Sequence, residues 1–412
     1  MHLLLIHQAF ALPGEAGGTR HYELGQAWLA RGHEFTVVRS GRSYLSGERV
    51  PEAVWPGPEA ESGGLKLRPA YAPPGHHRSF VWRAVSYFVF AVSSSWLALR
   101  VRGVDLVQGT SPPLGQALSA WLVAALKRRP FLLEVRDLWP DFAVALGVLR
   151  GRWLIRPARW LERFVYARAR HVVINSPAYA DHLRQQGVPA DRITVIANGV
   201  DPTRFDPEAT GAAVRERQGL IGKFVVVYAG AIGPANDLDT LLEAARQLHD
   251  QQDIHWVILG DGKERPRLEA LARSARLGNV TFAGPRPKAE MKDWLAAADA
   301  CVATLRNIPM FRTTYPNKVF DYMAAGRPTV LAIDGAIRTV IESAAGGLCV
   351  PPGDATRLAE AVRRLQAEPE LAKRLGQNAR RYVCAHFDRR QQAESFIRLA
   401  LTLAGRSATA VA

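Results

Sequence analysis

The stretch that sets the fold is residues 3–38, LLLIHQAFALPGEAGGTRHYELGQAWLARGHEFTVV. Its apolar run Leu3–Ile6 predicts a buried strand, and Phe35–Val38 predicts a second one. Between them, Thr19–Arg31 carries apolar residues at helical spacing. A strand, a helix and a strand in that order form a parallel β-α-β unit.

The same alternation continues along both halves of the chain. Further strands are predicted at Leu106–Gln108, Phe131–Val135, His171–Ile174, Ile193–Ile196, Phe224–Tyr228, Trp256–Leu259, Val280–Phe282, Ala300–Ala303, Thr329–Leu331 and Leu348–Val350. Helices are predicted at Phe80–Arg100, Leu114–Lys127, Trp153–Ala169, Ala178–Gln186, Leu238–Asp250, Pro266–Ala275, Glu290–Ala297, Lys318–Ala325 and Ala355–Gln366. We therefore predict an α/β protein of two doubly wound, Rossmann-like domains that face each other across a ligand-binding cleft.

The polar stretch Asp201–Gly219 contains Pro202, Pro207 and Gly211, which interrupt both periodicities. We expect it to be the linker between the domains. The predicted domains are residues 1–205 and residues 206–387. A C-terminal helix at about residues 388–405 is expected to pack back on the first domain.

The composition is that of a folded, strongly basic protein, with 48% hydrophobic residues and a net charge of +15. The three cysteines show no metal-like spacing, and the N-terminal segment has no basic leader, so we expect a cytoplasmic protein with reduced thiols. Between Lys127 and Arg170 there are 11 Lys or Arg residues against 4 Asp or Glu. Such an excess fits either nucleic acid or an anionic membrane surface.

Two segments are candidates for membrane contact. Ser79–Leu99 is strongly apolar, but Arg83 leaves too short a run to span a bilayer. It is interpreted first as a buried crossover helix and second as an interfacial helix. The basic stretch Arg150–Arg170 carries Trp153, Trp160 and Phe164 at roughly helical spacing, which favours peripheral attachment to the inner face of the plasma membrane over nucleic-acid binding.

Glycine loops follow strands in both halves and predict phosphate contacts. Gly17 and Gly18 precede the first helix, and Gly230, Gly233 and Gly260 follow two strands of the second half. Backbone N–H groups at such turns can bind a phosphate, although an ordinary strand-to-helix turn explains the first loop equally well.

Charged residues follow the strand Phe131–Val135. Arg136 and Asp137 are predicted to be catalytic, and Asp141 to lie on the acceptor side together with Arg20. The alternative is that Arg136 only forms an ion pair with Asp137 or Glu134. Asn198 follows the last strand of the first half and is predicted either to contact the donor or to act as a hinge.

The densest group of functional side chains is Arg312-Thr-Thr-Tyr-Pro-Asn-Lys318, which leads into a helix. Lys318 at the helix start can offer a cation to a diphosphate, and Asp321, one turn later, can accept ribose hydroxyls. Arg312 and Asn317 are predicted to contribute to the same donor site. Lys318 is also predicted to be catalytic, because its charge would stabilise a departing diphosphate.

Together these motifs resemble the family 4 glycosyltransferases of GT-B architecture over nearly the whole chain. The residues that carry the resemblance are Gly17–Arg20, Thr110–Pro113, Glu134–Asp141, Asn198–Asp201 and Tyr315–Gly326. Within the family, the chain is similar to bacterial enzymes that build capsule, O-antigen and colanic-acid-like polysaccharides, including the L-fucosamine transferase group.

The resemblance implies a retaining transfer from an NDP-sugar, with a UDP-sugar as the expected donor. It implies no metal and no cofactor, and a departing diphosphate that helps to deprotonate the acceptor. The expected acceptor is a glycan linked to undecaprenyl diphosphate. The chain departs from the family where Thr313 replaces the first residue of the common glutamate pair, so Glu342 is taken as a substitute for contact with the sugar.

Three other functions were weighed. A sugar-nucleotide epimerase of the same fold and a basic membrane- or nucleic-acid-binding protein remain alternatives. A nicotinamide-dependent oxidoreductase is disfavoured because neither half contains the GxGxxG turn that it requires.

Overall fold

The computed structural model describes residues 1–12, 15, 18–42, 65–74 and 80–406. The contacts divide the chain into two compact units. The first comprises Met1–Ala197 together with Arg390–Ala412, and the second comprises Asn198–Arg389. The boundary between the two units therefore lies after Ala197, whereas the sequence predicts it after residue 205.

The first unit is built on a seven-stranded parallel sheet of order β3-β2-β1-β4-β5-β6-β7. Its strands are β1 (His2–Ile6), β2 (Glu34–Ser40), β3 (Lys66–Ala70), β4 (Leu106–Ser111), β5 (Phe131–Val135), β6 (His171–Ile174) and β7 (Ile193–Val195). The predicted parallel sheet is confirmed, and β3 is an additional edge strand. Its alternation of charged and apolar residues and its Pro69 are typical of an edge, which is why no apolar run marks it.

Helices connect these strands and cover the sheet. They are α1 (Arg20–Leu29), α2 (Phe80–Leu99), α3 (Leu114–Lys127), α4 (Asp141–Ala145), α5 (Arg152–Arg168) and α6 (Tyr179–Gln185). One buried cluster contains Trp28 of α1 and Phe35 of β2 and also includes Phe396 and Ile397 from far later in the chain. These last two residues belong to α15 (Arg389–Leu403), so the first unit is completed by a helix that follows the second unit.

The second unit repeats the arrangement with a six-stranded parallel sheet of order β10-β9-β8-β11-β12-β13. Its strands are β8 (Phe224–Ala229), β9 (Ile254–Leu259), β10 (Val280–Gly284), β11 (Ala300–Thr304), β12 (Thr329–Ala332) and β13 (Gly347–Cys349). Its helices are α7 (Ala212–Arg217), α8 (Leu238–Gln247), α9 (Arg265–Ser274), α10 (Met291–Ala296), α11 (Asn317–Ala324), α12 (Ala336–Ala344), α13 (Ala355–Ala367) and α14 (Pro369–His386). Short 3-10 helices lie at Ala190–Arg192, Pro202–Arg204, Lys288–Glu290 and Pro309–Thr313.

The stretch Asp201–Gly219, expected to be a linker, is instead an integral part of the second unit. Phe205 and Val214 are buried in the same cluster as Val225 and Phe320. Proline and glycine break the periodicity here because the chain turns repeatedly over the sheet, while its apolar residues still enter the core. The helices α4, α7, α12 and α14 were not predicted from the sequence.

Helix α2 differs from the buried crossover helix that was the preferred interpretation. Phe88 is 70% exposed, and Trp82, Val92 and Trp96 are also exposed along the helix, whereas Phe90 is fully buried. One face of α2 therefore packs inward and the other presents large apolar side chains to solvent. Within the described ranges, no helix combines the length and apolar character needed to cross a bilayer.

Candidate active-site residues

The loops after β8 and β9 lie against each other through their backbones. The Gly230 N–H donates to Leu259 O at 2.9 Å, and the Ile232 N–H donates to Asp261 O at 2.9 Å. Gly260 has φ +138°, and a Cβ placed there would lie 1.9 Å from Gly230 O. Only glycine allows this approach, so the two predicted phosphate loops form one continuous surface at the carboxyl edge of the second sheet.

Lys318 lies against this surface. A Cβ added to Gly230 would lie 2.8 Å from Lys318 Cε, so the absent side chain makes room for the lysine. The Lys318 ammonium donates to the Tyr228 hydroxyl at 2.6 Å and to Asn236 Oδ1 at 3.1 Å, and it lies 4.0 Å from the Tyr228 ring centroid. Among the described residues, no carboxylate forms an ion pair with Lys318.

Burial of the Lys318 ammonium without an anionic partner lowers its pKa from 10.5 to about 7. Desolvation disfavours the charged form of an amine, and neutral hydrogen-bond acceptors compensate only in part. An anion bound beside Lys318 would favour the charged form. The arrangement therefore has the electrostatics of an anion-binding site.

Asp321 lies one turn after Lys318 on α11 but lines a different space. It borders a cavity of about 300 Å³ in the second unit, together with Thr203, Lys288, Lys292 and Arg389. Lys318 and Asp321 therefore sit on neighbouring parts of one helix, with the ammonium over the glycine loops and the carboxylate beside this cavity.

The remaining predicted donor residues of the second unit are more scattered. Asn317 is exposed at the start of α11, and Gly233 precedes Asn236 in the β8 loop. Arg312 is exposed in the 3-10 helix Pro309–Thr313, where its carbonyl packs against Gly335 at the start of α12. Asn198 is buried, and its carbonyl accepts from Arg389 Nε at 3.2 Å.

Glu342 is exposed in the last turns of α12, where it accepts from Arg338 Nε at 2.7 Å. The carboxyl edge of the sheet lies at the other end of this helix, because α12 begins just after β12 ends. This position gives no support to a contact between Glu342 and the sugar, and we do not carry the residue into the proposed site.

In the first unit, the carboxyl edge of the sheet is held by a buried carboxylate. Glu134 is fully buried and accepts from Arg20 Nε at 2.9 Å, His21 Nε2 at 2.8 Å and Gln108 Nε2 at 2.9 Å. Burial alone would raise the pKa of Glu134, but His21 and Arg20 together hold it well below its usual range. Sequence reasoning missed this network, since its members are separated by up to 114 positions.

The network corrects the role expected for Arg20. Its guanidinium also donates to Ala197 O at 2.6 Å and to Ile196 O at 2.9 Å. Arg20 is therefore buried and links α1 to the residues that follow β7. From the sequence we expected it to contact the acceptor. Gly18, two residues before Arg20, is exposed, and Gly17 lies outside the described residues.

Arg136 and Asp137 follow β5 directly, as predicted. Arg136 Nη1 lies 3.0 Å from His7 Nε2, so the contact partner of the guanidinium is a histidine and not Asp137 or Glu134, the partners of the alternative interpretation. Desolvation raises the pKa of Asp137 to about 6, although the residue keeps an exposed surface and Arg136 counteracts part of the rise. Asp141, at the start of α4, forms an ion pair with Arg159 at 2.9 Å.

Buried polar atoms near Arg136 have no hydrogen-bond partner among the described residues. They are Gln8 Oε1, Ser111 Oγ and Asn175 Oδ1. Asn175 Nδ2 donates to the Arg136 carbonyl at 3.0 Å, and the Arg136 N–H donates to Ser111 O, so two of the three residues adjoin Arg136 directly. Unsatisfied buried polar atoms are costly, which marks this edge as a place for a polar ligand.

Comparisons with known proteins agree with this architecture. Residues 16–199 match the family model described as Glycosyl transferase 4-like domain, and residues 223–368 match the model Glycosyl transferases group 1. Together the two matches cover most of the chain. The chain therefore belongs to the family 4 glycosyltransferases of GT-B architecture.

Individual relatives are distant. Alpha-D-kanosaminyltransferase of Streptomyces kanamyceticus is 31% identical over 229 residues, which cover 54% of this chain and 58% of the relative. The chain thus matches less than two thirds of that protein's length. The putative colanic acid biosynthesis glycosyl transferase WcaI of Escherichia coli strain K12 is 26% identical over 83% of this chain and 87% of its own.

A solved structure shows the same fold. The HepE protein of Anabaena in complex with UDP aligns with a TM-score of 0.73 and 18% identity. The alignment covers 98% of this chain and 100% of the Anabaena chain. Two doubly wound units in GT-B architecture are thereby confirmed.

Proposed function

We propose that this protein transfers a sugar from an NDP-sugar, with UDP as the nucleotide, to a lipid-linked acceptor in the synthesis of a cell-surface polysaccharide. The observation that carries the proposal is the Lys318 ammonium, which is desolvated against two glycine loops without a carboxylate partner. A diphosphate would supply the negative charge that the ammonium lacks.

The nucleoside part of the donor is proposed to lie along α11 from the diphosphate. Asp321 would accept the ribose hydroxyls, and the cavity of about 300 Å³ beside it would receive the base. Support for UDP comes from the Anabaena structure, which has the same fold and is described as a complex with UDP.

The chemical step is proposed to retain the configuration at the sugar and to proceed without a metal or another cofactor. Lys318 stabilises the charge that develops on the departing diphosphate as its bond to the sugar breaks, and a diphosphate oxygen accepts the proton of the acceptor hydroxyl that attacks the sugar. Arg136 and Asp137 are proposed to contact the reacting groups from the first unit. The unpartnered atoms of Gln8, Ser111 and Asn175 add hydrogen-bonding capacity for acceptor hydroxyls.

A membrane-bound acceptor is supported by the surface of the first unit. Large exposed apolar side chains lie along α2, and Trp153 and Trp160 are exposed on α5 beside four exposed arginines. These arginines are Arg152, Arg156, Arg159 and Arg163. Such a helical layer fits an anionic inner membrane surface and an undecaprenyl-diphosphate-linked glycan. The colanic-acid relative points to the same class of product by its name. The narrower resemblance to the L-fucosamine transferase group stays a prediction.

The donor assignment is tested by calorimetric titration of UDP and a panel of UDP- and GDP-sugars. We expect UDP to bind the wild type, and Lys318→Ala to lose about 1.5–3 kcal/mol of binding free energy, the strength of a charge-assisted contact. Unchanged affinity in folded Lys318→Ala and Asp321→Ala variants would overturn the site. Conversion of a UDP-sugar in the absence of acceptor would assign an epimerase instead.

The membrane assignment is tested by vesicle flotation. Replacing the four α5 arginines by glutamine should release the protein from anionic vesicles, because each basic residue contributes about 1 kcal/mol at such a surface. UDP affinity should stay unchanged, since the α5 arginines belong to the first unit and Lys318 to the second. Equal binding of the wild type to neutral and anionic vesicles would contradict the attachment.

A further inference from the structure

A second cavity of the first unit lies at the opposite edge of its sheet from Arg136. It has a volume of about 400 Å³ and is lined at the amino end of β5 by Pro130 and Phe131. β5 has five residues, so the cavity and Arg136 are separated by roughly 15 Å of strand. The cavity therefore belongs to neither the donor nor the acceptor positions proposed above.

Among the residues that the structure describes, four arginines and no carboxylate line this cavity. They are Arg129, Arg168, Arg170 and Arg192. Within the described part of the chain, the side chains of Arg129 and Arg170 donate no hydrogen bond and form no ion pair. Four like charges around one small space repel each other, and a bound anion would relieve that repulsion.

The arginines differ in how firmly they are held. Arg192 donates to the carbonyl of Ala169, while its Nε is buried without a hydrogen-bond partner. The Arg168 guanidinium lies 5.9 Å from the ring centroid of Trp121 and 5.2 Å from that of Phe164. Two of the guanidinium groups are thus fixed in place by backbone and aromatic contacts, and the other two are available to a ligand.

Large apolar side chains are exposed on α3 and α5, the two helices that contribute Trp121 and Arg168 to the cavity lining. Leu126 is 61% exposed and Leu122 is exposed beside it on α3, the helix that also carries Trp121. On α5, the exposed Trp160 stacks on Phe164 with ring centroids 5.5 Å apart. α3 contacts both α2 and α5, so the exposed face of α2 belongs to the same helical layer. A phosphate in the cavity would therefore have acyl chains close to apolar and aromatic side chains.

We propose that this cavity binds the phosphate of an anionic phospholipid headgroup and so fixes the orientation of the first unit on the membrane. Guanidinium groups match phosphate oxygens in pairs, and exposed tryptophans are favoured at the depth of the headgroups. The site rests on the proposed membrane attachment but not on sugar transfer. Its lipid is a non-reacting one, because the cavity lies at the sheet edge away from Arg136 and Asp137.

The test uses the full chain and lipids that are monomeric in water. Dihexanoylphosphatidylglycerol, below its micellar concentration, should bind the wild type in a saturable one-to-one complex by calorimetry. The Arg129→Gln, Arg170→Gln double variant should weaken this binding at least about tenfold, which corresponds to the loss of one charge-assisted contact. Dihexanoylphosphatidylcholine, in which the headgroup has no net charge, should bind at least about tenfold more weakly than the phosphatidylglycerol.

The matched control is Arg363→Gln with Arg374→Gln, which removes the same charge from exposed positions on the second unit. This control should bind the lipid as the wild type does, and it should also float with vesicles containing phosphatidylglycerol. Equal losses of lipid affinity in the two double variants would show that net charge, and not this cavity, determines lipid binding. Inorganic phosphate that binds as tightly as the lipid would assign a free-phosphate site and overturn the lipid.

The two proposals fail separately. Loss of monomeric lipid binding with UDP titration unchanged would remove only the headgroup site. Lipid binding in a protein that neither binds UDP nor transfers sugar would leave the cavity standing and remove the enzymatic proposal.

Discussion

Each of the two sheets has a buried charged side chain at its carboxyl edge, and these two side chains differ in their partners. In the first unit, buried Glu134 is surrounded by donors from Arg20, His21 and Gln108. In the second unit, Lys318 is desolvated, and its ammonium donates, within the described ranges, to the neutral oxygens of Tyr228 and Asn236. A paired buried charge holds the fold together, whereas an unpaired one is a cost that a ligand can remove. The comparison separates residues of the fold from residues of the binding site.

The largest expected effect comes from breaking the paired side. Glu134→Ala leaves the Arg20 guanidinium buried without its carboxylate and should lower the free energy of unfolding by about 3–5 kcal/mol. Chemical denaturation measures this loss. Glu394→Ala breaks the exposed pair of Glu394 with Arg31 and should cost about 0–1 kcal/mol. Similar losses in the two variants would contradict the structural role of the Glu134 network.

The unpaired side should show a split between binding and stability. Lys318→Met should lose about 1.5–3 kcal/mol of UDP binding free energy. Its thermal midpoint without ligand should stay level or rise, because a desolvated cation without an anionic partner is removed. Calorimetry measures the UDP affinity, and thermal unfolding measures the midpoint. Lys373→Met, at an exposed position, should change neither quantity. A Lys318→Met protein that is clearly less stable would make the lysine structural.

The pH dependence should sharpen the same contrast. The pKa of Lys318 is lowered to about 7, so raising the pH through 7 discharges the ammonium of the free protein, and UDP affinity should fall by up to about tenfold per pH unit above it. The pKa of Asp137 is raised to about 6, so kcat/KM should also fall as the pH drops below 6 if the carboxylate form is active.

The sign for stability follows from the same lysine. Its folded pKa lies below its unfolded value, so the folded state binds fewer protons between about 7 and 10.5, and the unliganded protein loses stability as the pH falls through that window. Titrations of UDP at several pH values, with Lys318→Arg as the variant that stays charged, measure the binding effect. A UDP affinity of the wild type that does not change with pH would contradict a lowered pKa of Lys318.

The smallest effect is expected at Asp321. Asp321→Asn keeps the shape and one acceptor oxygen but removes the negative charge, so the ribose contact is weakened and not lost, at a cost of about 0.5–1.5 kcal/mol of UDP binding. Pyrophosphate, which has no ribose, should bind this variant as it binds the wild type. Equal losses for both ligands would place Asp321 near the diphosphate and not near the ribose.

The sequence predicts those parts of the molecule in which neighbouring residues decide the structure. Apolar runs such as Phe131–Val135 mark buried strands, and the position of Lys318 at the start of α11 follows from the motif around it. The glycines at 230 and 260 are also visible in the sequence. Their mutual contact is not, because it depends on the pairing of two strands.

Long-range partners could not be predicted. The Arg20–Glu134 pair spans 114 positions, and no local pattern around either residue predicts that they meet. Helix α2 shows the converse problem. Its apolar residues predict burial of the whole helix, although one of its faces is exposed. Only the packing of α2 on α3 shows which of its faces, including Phe88 and Trp96, stays exposed.

The placement of α15 has a consequence for biosynthesis. Phe396 and Ile397 complete the core of the first unit, yet they are translated only after the entire second unit. The second unit is contiguous, so it has all its core residues while the first still lacks a helix. Units of this kind fold as they become complete during synthesis. The order of maturation should therefore be the reverse of the order of translation, with the apolar surface under α15 open to solvent or a chaperone until residues 390–403 emerge from the ribosome.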